Sequence, residues 1–392
     1  MVANGVVLFN NAVVRKTFLY RIYPTRKQAT ILCSMLDECR WLYNYLLAQR
    51  KDAHQAGRNV PSLYDQQSFF LALKKQRPPL RLVHSQVLQN VAVRIDLAFK
   101  AFFRRTKAGQ TPGYPRFRGR FRYDSLCYPQ APSGCKLVGD TLHLSKVGPV
   151  KVVLHRPLSG TPKTVCIKRS STGKWYTTIS CHWEPSALPV SYEQVGIDVG
   201  LKTFATLSTG QQIENPRFFR VEEKALAKAQ RLLSKQPKGT TKRRKRRKVV
   251  ARVHERIGWR RNDFSHQHSR RIVNRYGVIA VEDLEVNRMV HNHCLAKSIS
   301  DAAWAGFTGM LKFKAEWAGT RTFIRVNPAY TSQTCSGCGH RIAPDNRLGL
   351  SDRVFECTCC QLHIDRDLNA SLNILALGIQ RIGNQSLEAA RL

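Results

Sequence analysis

The feature that most constrains the fold of this chain is a group of cysteines near its C-terminal end. Five of the twelve cysteines lie between Cys335 and Cys360. Four of these, Cys335, Cys338, Cys357 and Cys360, form two Cys-x-x-Cys knuckles that are eighteen residues apart. Thiolates at this spacing suit a closed tetrahedral Zn²⁺ site, which is structural because no coordination position stays open. The additional thiol of Cys359 leaves the identity of the fourth ligand open.

The charge of the chain indicates a nucleic-acid partner. Lysine and arginine total 64 against 26 aspartates and glutamates, which gives a formal net charge of +38. A compact protein with this charge repels itself unless a polyanion neutralises it. The rival partner is a membrane, but no run of about 18 apolar residues is present, and residues 1–15 lack the features of a signal peptide. We therefore expect a cytoplasmic protein with reduced cysteines and no membrane partner.

The periodicity of apolar residues divides the chain into two lobes. Residues 1–184 combine helical stretches with short β-type runs, which predicts an α+β recognition lobe built as a β-barrel with a helical insertion. Residues 185–192 are typical of a linker. Strands and helices alternate over 193–377, which predicts an α/β lobe, and 378–392 is a C-terminal tail. The predicted helices begin at residue 25 and also cover 64–75, 85–104, 222–233, 252–276 and 301–318.

Three acidic residues stand out because the chain has few acids and these follow apolar segments. Asp198 lies in Val195-Gly-Ile-Asp-Val-Gly200, Glu282 ends the run Val278 to Glu282, and Asp367 opens a helical segment. Carboxylates from separate elements are what two Mg²⁺ ions need, since this hard cation prefers oxygen ligands. An isolated acid is more often a helix cap or an ion-pair partner, and for Asp367 capping is a specific alternative.

Two basic segments are candidates for nucleic-acid contacts. Residues 242–248 are seven consecutive lysines and arginines, of which Lys242, Arg243, Arg244 and Lys245 are the predicted phosphate contacts. Such a run is commonly solvated and flexible. Residues 114–122 interleave aromatic residues with arginines, and here Arg116, Phe117 and Arg118 suit the stacking that unpaired RNA bases require. The alternative for this segment is a loop whose aromatic side chains belong to the core.

The acidic segments resemble the three RuvC motifs of the TnpB family of transposon-encoded, RNA-guided nucleases. These motifs are Gly196-Ile-Asp-Val-Gly200, Val281-Glu-Asp-Leu284 and Asp365-Arg-Asp-Leu-Asn-Ala370. Further blocks follow the family order over about residues 16–377: Tyr114-Pro-Arg-Phe-Arg118, Arg261-Asn-Asp-Phe-Ser-His266, Ser298-Ile-Ser-Asp-Ala-Ala-Trp304 and Thr331-Ser-Gln-Thr-Cys335.

The resemblance implies a bilobed protein whose C-terminal lobe is an RNase H-like RuvC domain with an inserted zinc ribbon over about 328–363. It assigns the catalytic, metal-binding roles to Asp198, Glu282 and Asp367 rather than to Asp283 or Asp365. It also assigns the fourth zinc position to Cys360. Gln361 replaces the glycine that is usual after the second knuckle, which puts the local loop geometry in question.

The resemblance further implies an RNA-guided DNA endonuclease of a bacterial insertion-sequence transposon, which is monomeric in its ribonucleoprotein and associated with the nucleoid. Its cofactors would be two Mg²⁺ or Mn²⁺ ions, one structural Zn²⁺ and a guide RNA from the transposon end. Base pairing would select the double-stranded DNA target, while the protein reads a short flanking motif. In the family, helices of the N-terminal half read this motif. The candidate contacts in the corresponding helices of this chain are Tyr64, Ser68, Gln86 and Gln89. The alternatives are a compact type V CRISPR effector, an RNA-guided repressor that does not cleave and, more distantly, a zinc-ribbon DNA-binding regulator.

Overall fold

The computed structural model describes residues 14–343, 348–349 and 352–389, so the N-terminal segment 1–13 and the last residues of the predicted tail lie outside it. The chain forms two compact units, Met1–Glu184 and Pro185–Leu392. Among the described helices, none has both the length and the apolarity that a membrane span requires.

The first unit is built on a nearly closed, barrel-like antiparallel sheet. Its seven strands follow the order β2-β6-β7-β1-β5-β4-β3. They are β1 (Val14–Tyr23), β2 (Ser125–Tyr128), β3 (Cys135–Val138), β4 (Thr141–Leu144), β5 (Gly148–Val153), β6 (Thr161–Arg169) and β7 (Trp175–Trp183). Between β1 and β2 the chain forms α1 (Arg26–Gln55), α2 (Leu63–Ser68), α3 (Phe70–Gln76), a 3₁₀ turn (Pro78–Leu82) and α4 (Ser85–Lys107). The predicted helical insertion in a β-barrel is confirmed in this barrel-like form.

Local sequence explains how this insertion begins. Phe18, Tyr20 and Ile22 alternate along β1 and are buried, as expected for a strand with one face toward a core. The chain then turns into α1 at Thr25, whose hydroxyl accepts a hydrogen bond from the backbone N–H of Gln28 at 3.3 Å. The Gln28 side chain accepts one from the N–H of Thr25 at 3.0 Å. This capping box satisfies two N–H groups where the helix starts.

The second unit has a mixed five-stranded sheet in the order β10-β9-β8-β11-β12. The strands are β8 (Gln194–Val199), β9 (Thr203–Leu207), β10 (Gln212–Glu214), β11 (Val278–Glu282) and β12 (Thr322–Val326), and a separate pair is formed by β13 (Val354–Glu356) and β14 (His363–Asp365). The helices are α5 (Phe218–Ser234), α6 (Thr241–Arg275), α7 (Val286–Met289), α8 (Ala296–Ala302), α9 (Trp304–Ala318) and α10 (Arg366–Ala389). β8 pairs antiparallel with β9 and parallel with β11. β8 and β9 thus form a hairpin, and the predicted alternation of strands and helices is present.

Four interpretations of the sequence differ from the structure. The segment 64–75 is two helices that meet at Phe69, and the segment 301–318 is interrupted at Ala303, which has a left-handed backbone with φ of 55°. The basic run over 242–248 is not a flexible tract, because it lies in the continuous 35-residue helix α6. Its lysines and arginines are good helix formers, and α6 packs against α5 around Val253 and Ile257. Beyond residue 377, where the tail was predicted, α10 continues to Ala389.

The segment 185–192 has no helix or strand, but it is held against the second unit. The backbone N–H of Leu188 donates to the carbonyl of Ala318 at 2.9 Å. The Thr320 hydroxyl donates to the Leu188 carbonyl at 2.9 Å, and the buried Arg321 guanidinium donates to the Pro189 carbonyl at 2.8 Å. This segment is therefore an extended strap on the second unit rather than a free linker.

Candidate active site and metal centre

Asp198 and Glu282 lie at the same edge of the five-stranded sheet. β8 and β11 are parallel neighbours, and Ile197 is paired with Val281. Each acid is the next residue along its strand, so the strand register alone brings the two side chains to one edge. The residues before them, Ile197 and Val281, are buried in the core of the unit. The sequence places the acids where buried strands emerge, as predicted.

Asp367 comes to this edge in the first turn of α10, the helix that packs across β8 and β11. The alternative that Asp367 merely caps this helix is not what the structure shows. The capping carboxylate is that of Asp365, whose Oδ1 accepts hydrogen bonds from the backbone N–H groups of Asp367 and Leu368, both at 3.0 Å. Asp365 thereby satisfies the helix start, so the carboxylate of Asp367 is not used as a cap; its Oδ1 lies 3.5 Å from Nη2 of Arg366.

The three acids interact electrostatically. Burial, and then the negative charges of Glu282 and Asp367, raise the pKa of Asp198 to about 8, and nearby Arg366 opposes this. Burial also raises the pKa of Glu282, although a hydrogen bond from the Thr331 hydroxyl at 2.6 Å acts in the opposite direction. Desolvated carboxylates that repel one another form a strained arrangement that a divalent cation relieves. The donor set therefore fits Mg²⁺ or Mn²⁺.

The two sets of predicted ligands differ in spacing. Among the residues that the structure describes, Cys335, Cys338, Cys357 and Cys360 are the one group of acids, histidines or cysteines whose ligand atoms all lie within 4.8 Å of one another. The three carboxylates are spread more widely.

The cysteine group has the dimensions of a tetrahedral zinc site. The sulfurs of Cys335 and Cys360 are 3.5 Å apart, and those of Cys338 and Cys357 are 3.6 Å apart. Zn–S bonds of about 2.3 Å in a tetrahedron place sulfurs about 3.8 Å apart, so the site needs little expansion to accept the ion. Cys359 is exposed and is not a member of the group. The geometry favours Cys360 as the fourth ligand.

Gln361 shows how the loop accommodates the missing glycine. Its φ is 60°, a left-handed value that glycine adopts without strain. Gly339, the residue after the first knuckle, has the equivalent φ of 76°. The two knuckles therefore turn alike, although one does so with a residue that pays a conformational cost.

In the first unit, the four residues predicted to read a flanking motif differ in side-chain exposure and in hydrogen bonding. The side chains of Tyr64, Ser68 and Gln89 are exposed, Tyr64 to 79%. Gln86 is half-buried and donates to the side-chain oxygen of Gln130 at 2.8 Å. The Ser68 hydroxyl donates to the backbone carbonyl of Asp65 at 2.8 Å, which is a local helix contact. Tyr64 and Gln89 are therefore the two exposed members for which no such side-chain contact is described.

The segment 114–122 is a loop in which some residues pack against the first unit and others are exposed. Tyr114 packs edge-on against Phe99 and Phe102, so its ring is part of the unit's packing. Arg118 is fixed through its backbone: its N–H donates to the Asn44 side-chain oxygen at 2.7 Å. Arg116 and Phe117 have exposed side chains. The loop is therefore anchored at Tyr114 and Arg118 and presents the residues between them to solvent.

In the second unit, the predicted phosphate contacts lie in the first turns of α6. Lys242, Arg244 and Lys245 are exposed. Arg243 has a structural contact, because its guanidinium donates to the carbonyls of Leu233 at 3.0 Å and Gln236 at 2.5 Å, at the end of α5. Such donation satisfies carbonyl groups that have no partner within the helix. Arg243 thus joins α5 and α6, whereas Lys242, Arg244 and Lys245 do not make this contact.

Sequence reasoning missed the residues that hold the acids in place. Thr331, Asn369 and Asn373 connect Glu282, α10 and the first cysteine knuckle by hydrogen bonds. Thr331 and Asn369 belong to segments that were recognised as family blocks, yet no role followed from the pattern. Their polar character within segments that are otherwise buried was the one signal that pointed to them.

Comparison with known proteins tests the predicted family. Residues 178–293 match the OrfB_IS605 family model, described as "Probable transposase", and residues 304–374 match the "Cas12f1-like, TNB domain". A protein of Streptomyces pristinaespiralis, provisionally named RNA-guided DNA endonuclease, is 35% identical over 93% of this chain and 90% of its own length. The chain belongs to the TnpB family. InsQ of Escherichia coli (strain K12), another TnpB-type relative with the same provisional description, is 31% identical over 93% of this chain and 92% of its own.

The TnpB family models divide the candidate site between them. The first contains Asp198 and Glu282, and the second contains the four cysteines and Asp367. A third match, to a "Helix-turn-helix domain" over residues 12–59, covers β1 and the single long helix α1 in this structure. The solved structure of the mini-RNA-guided endonuclease CRISPR-Cas_phi3 aligns with 93% of this chain and 92% of its own at a TM-score of 0.53. With 10% identity, this match shows a shared fold.

Proposed function

We propose that this TnpB protein is an RNA-guided endonuclease that cleaves double-stranded DNA by two-metal phosphodiester hydrolysis. The observation that carries the proposal is the meeting of Asp198, Glu282 and Asp367 at one sheet edge. There Asp198 and Glu282 are desolvated, and the charges of Glu282 and Asp367 raise the pKa of Asp198, in a protein whose formal net charge is +38. Acids so placed contribute nothing to a purely basic binding surface, whereas they suit divalent cations.

The three carboxylates would act as ligands in a RuvC-like domain. Two bound Mg²⁺ or Mn²⁺ ions supply an activated water and stabilise the leaving oxygen of the phosphodiester. Burial and the charges of Glu282 and Asp367 raise the pKa of Asp198. Asp198 would therefore hold a divalent cation together with these two acids. Glu282 keeps one carboxylate oxygen on Thr331 and turns the other to the site, and Asp367 completes the set from α10.

Residues outside the acidic set suit a structural zinc ion and the nucleic-acid partners. The four cysteines would hold a structural Zn²⁺ in a ribbon inserted before α10. The exposed basic residues at the start of α6 suit phosphates of a guide RNA or its heteroduplex with target DNA. The exposed polar residues of the first unit, Tyr64 and Gln89 above all, suit contact with a short duplex motif beside the target. We infer a guide transcribed from the transposon end and a monomeric ribonucleoprotein.

A second candidate is a compact CRISPR effector, which the match of residues 304–374 to the Cas12f1-like domain favours. A further relative, the CRISPR-associated endodeoxyribonuclease Cas12f1 of Sulfoacidibacillus thermotolerans, is 29% identical over 62% of this chain and 60% of its own. The two candidates share the reaction and differ in the source of the guide. Copurified RNA distinguishes them, since it is a transposon-end transcript in one case and a repeat-array transcript in the other.

The test is plasmid cleavage by the protein purified with its flanking RNA, using a randomised sequence beside the target. Glu282→Gln should abolish cleavage while leaving target binding intact, because the substitution removes a metal-binding charge. Asp283→Asn is the matched control: Asp283 is the next residue, is exposed, and forms an ion pair with Arg325. It should cleave like the wild type. Binding without cleavage by the wild-type protein would refute the nuclease proposal and leave an RNA-guided repressor.

A further inference from the structure

We propose that Thr331 is a positioning residue for Glu282, and that Asn373 on α10 acts through Thr331. This inference rests on the proposed function, because it concerns how one of the proposed metal ligands is held. It goes beyond that function by naming residues outside the acidic set, and by linking the carboxylate site to the cysteine knuckle.

The first step is the contact between Thr331 and Glu282. Thr331 is 4% exposed, and its Oγ1 donates to Glu282 Oε1 at 2.6 Å. The Pro328 carbonyl is the other acceptor within reach, at 3.2 Å. A hydroxyl has one hydrogen to donate, and a bond to a charged acceptor is the shorter and stronger. The hydrogen therefore goes to Glu282.

This bond leaves the other half of the carboxylate available. Within the described part of the chain, no hydrogen bond or ion pair reaches Oε2 of Glu282. A carboxylate fixed through one oxygen offers its second oxygen in a defined direction, as ligands in metal sites commonly do when an outer residue orients them. Thr331 thus selects which oxygen of Glu282 faces the site.

The second step is what holds Thr331. Asn373 Nδ2 donates to the carbonyls of Thr331 at 2.8 Å and Thr334 at 2.7 Å. Asn369 Nδ2 also donates to the Thr334 carbonyl at 2.8 Å, and Asn369 Oδ1 accepts from the N–H of Ser336 at 2.9 Å. Both asparagines are buried. The segment 331–336 is therefore bonded along its length to α10.

The third step is the position of these asparagines in the chain. Asn369 and Asn373 are four residues apart on one face of α10, and the helix starts beside Asp367. The same segment 331–336 contains Cys335, a member of the four-cysteine group. One helix thus carries Asp367 and also fixes the segment that orients Glu282. A disturbance of the knuckle would reach Glu282 through Thr331.

The rival explanation is that Thr331 only fills space. Thr331→Val and Thr331→Ser separate the two, since valine keeps the shape without the hydroxyl and serine keeps the hydroxyl without the methyl group. Removing an outer partner of a metal ligand commonly weakens metal binding about 10–100-fold. We expect that loss for Thr331→Val and less than about a threefold change for Thr331→Ser, by the same comparison.

The readout is metal binding rather than cleavage alone. In the guide-loaded protein with target DNA, Fe²⁺ replaces Mg²⁺ and, with ascorbate and peroxide, cuts the polypeptide beside its ligands. Competition by Mn²⁺ then gives the affinity of the carboxylate site. Asp198→Ala must lose these cuts; if the wild type shows none that depend on Asp198, the proposed function fails. If the wild type shows them and Thr331→Val competes like the wild type, only the positioning role is refuted.

A double-mutant cycle tests the link to α10. Asn373→Ala alone should weaken Mn²⁺ competition in the same direction as Thr331→Val. If Asn373 acts through Thr331, the double variant should bind Mn²⁺ as tightly as the single variant with the larger loss. The two effects are then not additive, because they belong to one chain of contacts. Effects that multiply would overturn the link. Zinc content and melting temperature, measured on each variant, show that the knuckle and the unit remain folded.

Discussion

Gly196 determines how closely α10 approaches β8, and Gly196→Ala is the sharpest test of the geometry of the site. A Cβ atom at residue 196 would lie 2.1 Å from the carbonyl oxygen of Ser371 and 2.6 Å from the backbone nitrogen of Leu375, where ordinary contact begins at 3.4 Å. Both neighbours are backbone atoms of α10. Relief of the overlap therefore requires strand and helix to separate by 3.4 − 2.1 = 1.3 Å.

The separation acts directly on the proposed ligands. Asp198 is two residues beyond Gly196 on β8, and Asp367 is in the first turn of α10, four residues before Ser371. A displacement of about 1 Å at a catalytic centre costs roughly 10²-fold in rate. Overpacking of this kind costs about 1–3 kcal/mol in the free energy of unfolding. For a unit of this size that lowers the melting temperature by about 2–12 °C.

The assay is single-turnover cleavage at saturating guide-loaded protein, with melting measured on the same preparation. Gly309→Ala is the matched control, because Gly309 lies within α9 and a Cβ there meets no atom within 4 Å. It should cleave at the wild-type rate and melt slightly higher, since alanine favours the helix. A normal cleavage rate in Gly196→Ala would refute the reasoning. If melting falls and cleavage does not, the contact serves stability alone.

Two further predictions concern the zinc site and the contact between α8 and α6. Cys360→Ser should lower the zinc content measured by elemental analysis, whereas Cys359→Ser should keep one equivalent; zinc retention in the first and loss in the second would reverse the assignment. Asp301→Asn should cost about 2–3 kcal/mol, because Asp301 is buried and accepts a hydrogen bond from Arg261 at 2.8 Å. Glu285→Gln breaks an exposed ion pair and should change stability by less than about 1 kcal/mol; equal melting shifts for the two variants would contradict the argument.

The sequence was most informative where one periodicity governs a whole element. β7 and β8 are examples, since alternating or continuous apolar residues mark strands directly. The breaks at Phe69 and Ala303 left no such mark, because apolar residues continue on both sides of each. Flexibility was an alternative for the basic run because its charges are so dense, and its helical state depends on contacts made further along α6.

The acids of the candidate site could be predicted from the sequence, but the residues that hydrogen-bond to them could not. Asp198 and Glu282 could be recognised because each follows a buried strand. The choice of capping residue between Asp365 and Asp367 depends on side-chain direction, which spacing does not encode. The bond between Thr331 and Glu282 joins residues 49 positions apart. No local pattern carries such a contact, so the residues that orient the ligands emerged from the structure.

The continuity of α6 limits which changes in chain length the protein can accept. At about 1.5 Å per residue, 35 residues form a rod about 52 Å long, and each residue turns the helix by about 100°. One residue inserted after Lys248 would therefore rotate the basic residues 242–248 by that angle relative to Val253 and Ile257, which pack against α5. Insertions of seven residues, close to two turns, would restore their direction. Natural variation in the length of this segment should therefore come as whole turns.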